Sequence, residues 1–77
     1  MAAIQVWLTF QTTQTFDAAQ QQLWHKGVQV YHADKQARRF NIIFEVSKGQ
    51  EVLALAGLTE QSRRKLRRAI HDAPGNV

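Results

Sequence analysis

The chain has 77 residues, no cysteine, and ten Lys and Arg against six Asp and Glu, for a formal net charge of +4. That length gives a single domain with no room for a second core, and the missing cysteine excludes disulfides and thiolate zinc sites. A domain this small buries only roughly 60% of the surface its unfolded chain exposes, so a second copy of the chain is the expected support. The positive balance favours acidic partners.

No apolar run approaches the roughly 20 residues of a membrane span. The N-terminus lacks the basic start and long apolar stretch of a secretory signal. A cytoplasmic protein with no membrane partner is therefore expected.

Ile4, Val6, Leu8 and Phe10 alternate with Gln5, Trp7 and Thr9, the period-2 pattern of a strand. Gln11 to Gln14 reads as a loop. Thr15 is the expected N-cap of a helix, with Asp17 in its first turn, where a carboxylate suits the helix dipole. Phe16, Ala19, Leu23 and Trp24 recur at helical spacing and predict the buried face. Gly27 after Lys26 predicts the C-terminal stop.

Val28 to Ala33 predicts a second strand, with Val28 and Val30 on one face and Tyr31 on the other. Asp34 to Ala37 has the composition and length of a hairpin connection. Arg38 to Val46 predicts a third strand, turning Phe40, Ile42, Phe44 and Val46 to the core and Asn41, Ile43 and Glu45 away. Ser47 is placed to start a helix, with Gln50 three residues on completing a capping box, and Gly57 to end it. Thr59 caps a last helix, with Glu60 in its first turn, running to about Ala73, where Pro74 and Gly75 stop it.

The order β-α-β-β-α-α defines an α+β domain. A strand–helix–strand start followed by a hairpin opens a split β-α-β, ferredoxin-like sandwich. Its fourth strand is missing unless the tail supplies it, which Pro74 and Gly75 argue against. The expectation is a compact ferredoxin-like half-sandwich over residues 1–73. It has a three-stranded antiparallel or mixed sheet, helices packed on one face and a frayed tail over 74–77. The helix from Thr15 would fill a right-handed crossover between strands one and two.

All ten Lys and Arg lie from Lys26 onward, and the last helix concentrates them. With Arg63 at zero and about 100° per residue, Arg64, Arg67, Arg68 and His71 fall between roughly 40° and 140°, with Lys65 near 200°. Ser62, Leu66, Ala69, Ile70 and Ala73 fall on the opposite side. Arg forks match phosphate oxygens, and neutralised phosphates release counterions. Arg63, Arg64, Lys65, Arg67 and Arg68 are thus candidates for binding the backbone of DNA or RNA, extended by Arg38 and Arg39 if the hairpin lies nearby. The plain alternative is a solvated helix face, although such faces ordinarily mix signs and Arg63 to Arg68 contains no acid.

Ala56, Gly57, Leu58 and Thr59 resemble the tight turn of a helix-turn-helix. Arg63, however, occupies the position that needs a buried apolar residue, and a strand precedes Ser47. An ordinary helical corner serves equally well.

Trp7, Tyr31 and Ile43 share the parity opposite to the core residues of their strands. With helices on one face only, they form an apolar patch on the other, which marks an interface. Arg38, Arg39 and Phe40 resemble an RNA-recognition strand superficially, but the small residues are missing and Phe40 and Phe44 suit the core. Dimerisation through Trp7, Tyr31 and Ile43, or cover by another element, is therefore favoured over base stacking.

His25, His32 and His71 are not spaced as metal ligands. His32 and Asp34 suggest a local hydrogen bond more than an acid–base pair. Ser47 and Ser62 lack a nucleophile motif, and no glycine loop cradles phosphate. A non-enzymatic protein without metal or cofactor is expected, with two compatible readings: a nucleic-acid-associated regulatory protein, or a homodimeric interaction domain.

Overall fold

The computed structural model describes residues 3–73. Strand β1 spans Ala3–Thr9 and alternates as its sequence requires, burying Ile4 and Leu8 and leaving Trp7 exposed. Helix α1 spans Thr13–His25 and starts three residues earlier than a cap at Thr15 would place it. Its cap is Thr12, whose hydroxyl accepts from the Thr15 amide at 3.1 Å. The Thr15 hydroxyl meanwhile donates to the Thr12 carbonyl, so Thr15 belongs to the first turn instead of preceding it. Asp17 consequently lies beyond that turn and pairs with Lys35 at 3.6 Å.

The other end of α1 closes as expected. Gly27 takes φ +75°, and its amide donates to the Trp24 carbonyl while Val28 donates to Leu23 at 2.9 Å. This double closure is the Schellman arrangement, which needs a left-handed residue at Gly27's position. Phe16, Ala19 and Leu23 are buried, but Trp24 is 80% exposed. Leu23 fills the core position of that last turn, and Trp24, about 100° further round, is carried clear of it.

Strands β2 (Gln29–Asp34) and β3 (Arg39–Glu45) complete a sheet of order β1-β3-β2, with both pairings antiparallel. β1 and β2 therefore run parallel on either side of β3, joined through α1. Leu8 faces Phe40, and Val6 and Val30 flank Ile42. The pairing of β2 shifts between Tyr31 and Asp34, where His32 adopts φ 51°. Arg38, expected in the strand, sits before it at φ 54° and closes the hairpin through its amide bond to the Lys35 carbonyl.

A 3-10 turn over Val46–Lys48 follows, removing Val46 from the strand. The short helix α2, Gly49–Leu53, has Lys48 at its N-cap position and no side-chain cap, so Ser47 and Gln50 do not form the expected capping box. Packing sets this start. A Cβ on Gly49 would lie 2.9 Å from the Ile70 terminal methyl, which would have to shift to admit it, so glycine lets α3 pack closely here. Nor does Gly57 end α2. It stands four residues past Leu53 at φ +83°, crossing Thr15 with no space for a side chain.

The segment around Gly57 packs beside the end of β1. Gln11 donates to the Gly57 carbonyl at 2.8 Å, Thr59 donates to the Thr9 carbonyl at 3.0 Å, and Phe10 bridges Leu58 in antiparallel sense. A single isolated bridge thus closes the chain against the end of β1, outside the three-stranded sheet. Pro74, Gly75 and the tail expected to fray fall outside the described residues.

Helix α3 spans Glu60–Asp72, with the Thr59 hydroxyl accepting from the Ser62 amide and Glu60 in the first turn, both as expected. Leu66 is fully buried, and Ser62, 5% exposed, accepts from the Thr9 amide at 2.8 Å. The rings of Phe10, Phe16 and Phe40 meet in the core at 5.3–6.4 Å. The result is an α+β fold with a three-stranded antiparallel sheet and three helices on one face. Among the described residues, no buried side-chain polar atom lacks a partner, and no helix is long and apolar enough to cross a membrane.

Candidate functional site

The cations of α3 divide into two kinds. Arg63 is half-buried, and its guanidinium donates to the Leu53 carbonyl at 2.9 Å. That carbonyl belongs to the last turn of α2, where helical acceptors lack an internal partner. Arg63 is thus a tie between two helices. Arg64, Lys65, Arg67 and Arg68 are exposed. Arg64 reaches Glu60 at 3.4 Å with both side chains more than 70% exposed, a surface pair that contributes little. Lys65, Arg67 and Arg68 form no ion pair among the described residues.

Burial of Ser62 and Leu66, with Ala69 and Ile70 half-buried beside them, holds the basic face outward. The two-sided pattern of α3 is therefore present in the structure. One feature invisible in the helical wheel is a shallow groove between α2 and α3. Gln50, Leu53 and Ala54 form one wall, and Arg63, Arg67 and His71 the other.

The hairpin arginines go elsewhere. Arg38 donates through Nε to the Phe10 carbonyl at 3.1 Å, while its own carbonyl accepts from the Phe10 amide. Arg39 lies on the sheet face opposite the helices, its guanidinium carbon 4.2 Å from the centroid of Trp7. His32 stacks on the same indole at 6.1 Å. Exposed cation–π contacts of this kind contribute about 0.5–1 kcal/mol.

Trp7, Tyr31 and Ile43 are 37–40% exposed and share that outer face. Between them lies Asn41, paired in register with both Trp7 and Tyr31. It is only 3% exposed, and its side-chain oxygen accepts from Gln5 at 2.8 Å. Asn41 was expected to face away from the core and does, but its neighbours hide it from solvent. Asp34 accepts from the Ala37 amide and serves the turn, so it and His32 are engaged separately. Among the described residues, no group of His, Asp and Glu is arranged to hold a metal ion.

A second groove escaped sequence reasoning. It runs between α1 and the free edge of β2, lined by Gln20, Trp24, Val28, Val30 and Tyr31. The only signal in the sequence was Trp24 beside Leu23, two large apolar residues competing for one core position. No protein-family model matches the chain, and no curated protein or solved structure is significantly similar to it.

Proposed function

We propose that the chain is a small, non-enzymatic, nucleic-acid-associated regulatory protein of the cytoplasm that binds the phosphate backbone through α3. The observation that carries this reading is the exposure of Arg64, Lys65, Arg67 and Arg68 along a helix whose other face is anchored by Leu66. Each phosphate met by such a side chain releases condensed counterions. Arg63 orients the array through Leu53 and contributes charge from a fixed position. Arg39 presents a separate cation on the outer sheet face, and Arg38 supports the hairpin. The underlying plan is a ferredoxin-like split β-α-β sandwich whose fourth strand is reduced to the Phe10–Leu58 bridge.

Fluorescence anisotropy with labelled DNA and RNA duplexes tests the reading. Four contacting cations predict a log–log salt slope of about −3 to −4. The Arg64→Glu, Arg68→Glu double variant should lose binding while keeping its circular dichroism. Salt-independent binding, or binding unchanged in that variant, overturns the assignment.

A second reading, a homodimeric interaction domain joined through the outer sheet face, is supported by the shared exposure of Trp7, Tyr31 and Ile43. It predicts that Trp7→Lys converts a dimer to a monomer in light scattering.

A further inference from the structure

We infer that the groove between α2 and α3 seats one unpaired nucleotide, so that the chain prefers single-stranded nucleic acid to a duplex. This site rests on the nucleic-acid reading above and adds to it the form of the polymer that α3 holds. Arg63, Arg67 and His71 follow one another at four-residue steps and so share one flank of the helix, which forms the basic wall of the groove. Arg63 is fixed there by its bond to the Leu53 carbonyl at 2.9 Å. That bond occupies one of the several N–H donors of a guanidinium, and the others are left for a phosphate. Arg67 forms no ion pair among the described residues.

Most of the remaining lining is apolar. Leu53 and Ile70 are half-buried, and Ala54 is exposed beside them. The groove has a volume of about 510 Å³, within the range of roughly 300–1,000 Å³ found for small-molecule sites. A duplex keeps its bases stacked inside and offers this lining only phosphates. A base turned out of a single strand can lie with its face against aliphatic side chains and a guanidinium plane, while its phosphate meets Arg63 and Arg67. Gln50, on the α2 side, carries an amide that both donates and accepts, which suits the edge of a base.

Charge selects an anion as the occupant. No acid lines the groove. Glu51, next to Gln50, pairs with Lys26 at 3.3 Å, and Glu60 pairs with Arg64 at 3.4 Å. Asp72 lies about 180° round the helix from Arg63. Across α3 five Lys and Arg stand against Glu60 and Asp72 alone, so a positive excess remains however the acids are shared. The apolar lining then selects an anion that carries a flat apolar group. Bare phosphate would leave Leu53, Ala54 and Ile70 uncovered, whereas a nucleotide joins the two chemistries.

Charge alone favours the duplex, whose salt slope is about −0.9 per contacted phosphate against about −0.7 for a single strand. Preference for a single strand must therefore come from the bases. Fluorescence anisotropy compares labelled oligothymidylate, the same strand paired with oligoadenylate, and an abasic strand of equal length. Stacking of one base is expected to make the single strand bind at least about five-fold tighter than either of the others. Ala54→Glu and Gln50→Glu each place a carboxylate in the groove and are expected to weaken single-strand binding about ten-fold or more. Gln61→Glu makes the same change of charge on α3 outside the groove, about 160° round from Arg63, and is expected to weaken it less than about three-fold. Far-ultraviolet circular dichroism reports folding of each variant. A duplex or an abasic strand bound as tightly as the single strand overturns the inference and leaves the backbone reading standing. So does an equal loss in Gln61→Glu and both groove variants, or an acidic peptide rich in Glu and Phe bound more tightly than the strand. Binding of none of the three nucleic acids overturns the backbone reading as well.

Discussion

The two edges of the sheet are finished in opposite ways. The outer edge of β1 is closed at Thr9, whose amide goes to Ser62 and whose carbonyl accepts from Thr59, with Phe10 bridging Leu58 beside it. The outer edge of β2 receives no such segment. It is limited by the irregularity at His32 and left beside an exposed tryptophan. One edge is sealed by residues about fifty positions away, and the other is handled by local conformation. A sealed edge makes the fold depend on distant residues, while an open edge makes the surface available to partners.

Changes at the sealed edge should cost far more than changes at the open one. Gly57→Val adds a branched side chain to a left-handed residue lying against Thr15. Backbone strain and overpacking together predict a loss of about 4 kcal/mol, measured by urea denaturation. Ser62→Ala leaves the Thr9 amide without its acceptor in a covered position, with an expected loss of about 1–3 kcal/mol. Arg63→Ala removes the bond to Leu53 and should cost about 1 kcal/mol while leaving the exposed cations of α3 in place. Its salt slope in nucleic-acid titrations should therefore change less than that of Arg68→Ala. Trp24→Ala at the open edge should shift the stability of the monomer by less than about 0.5 kcal/mol, measured at high dilution. If Trp24→Ala proves as costly as Ser62→Ala, the contrast between the edges fails.

The same contrast explains which features could be seen in the sequence. Strand alternation in β1 and β3, the Gly27 stop and the Thr59 cap depend on neighbours within a few residues, and each was predicted. The two-sided pattern of α3 was equally visible, because one helical period orders both Leu66 and the arginines. Features set by distant contacts were misread. Thr15 has the chemistry of a cap, but Gly57 packing against it and Gln11 bonding the Gly57 carbonyl fix the turn at Thr12. Ser47 and Gln50 have capping-box spacing, but the helix starts at Gly49, which packs against the Ile70 side chain. Arg63 has the same side chain as Arg64, and only the nearness of Leu53 separates a tie from a free charge. Trp24 has helical spacing in common with Leu23, yet the core admits one of them.

The bond from Thr9 to Ser62 spans 53 positions of the chain. Contacts of such separation close large loops and slow folding relative to local ones. The β2–β3 hairpin and α1 rest on local contacts, whereas the seal on the β1 edge needs α3 in place. The Thr9 amide is therefore protected by Ser62 only while α3 is docked. Its hydrogen exchange should report the docking of α3 in the native state, separately from protection of the strand interior.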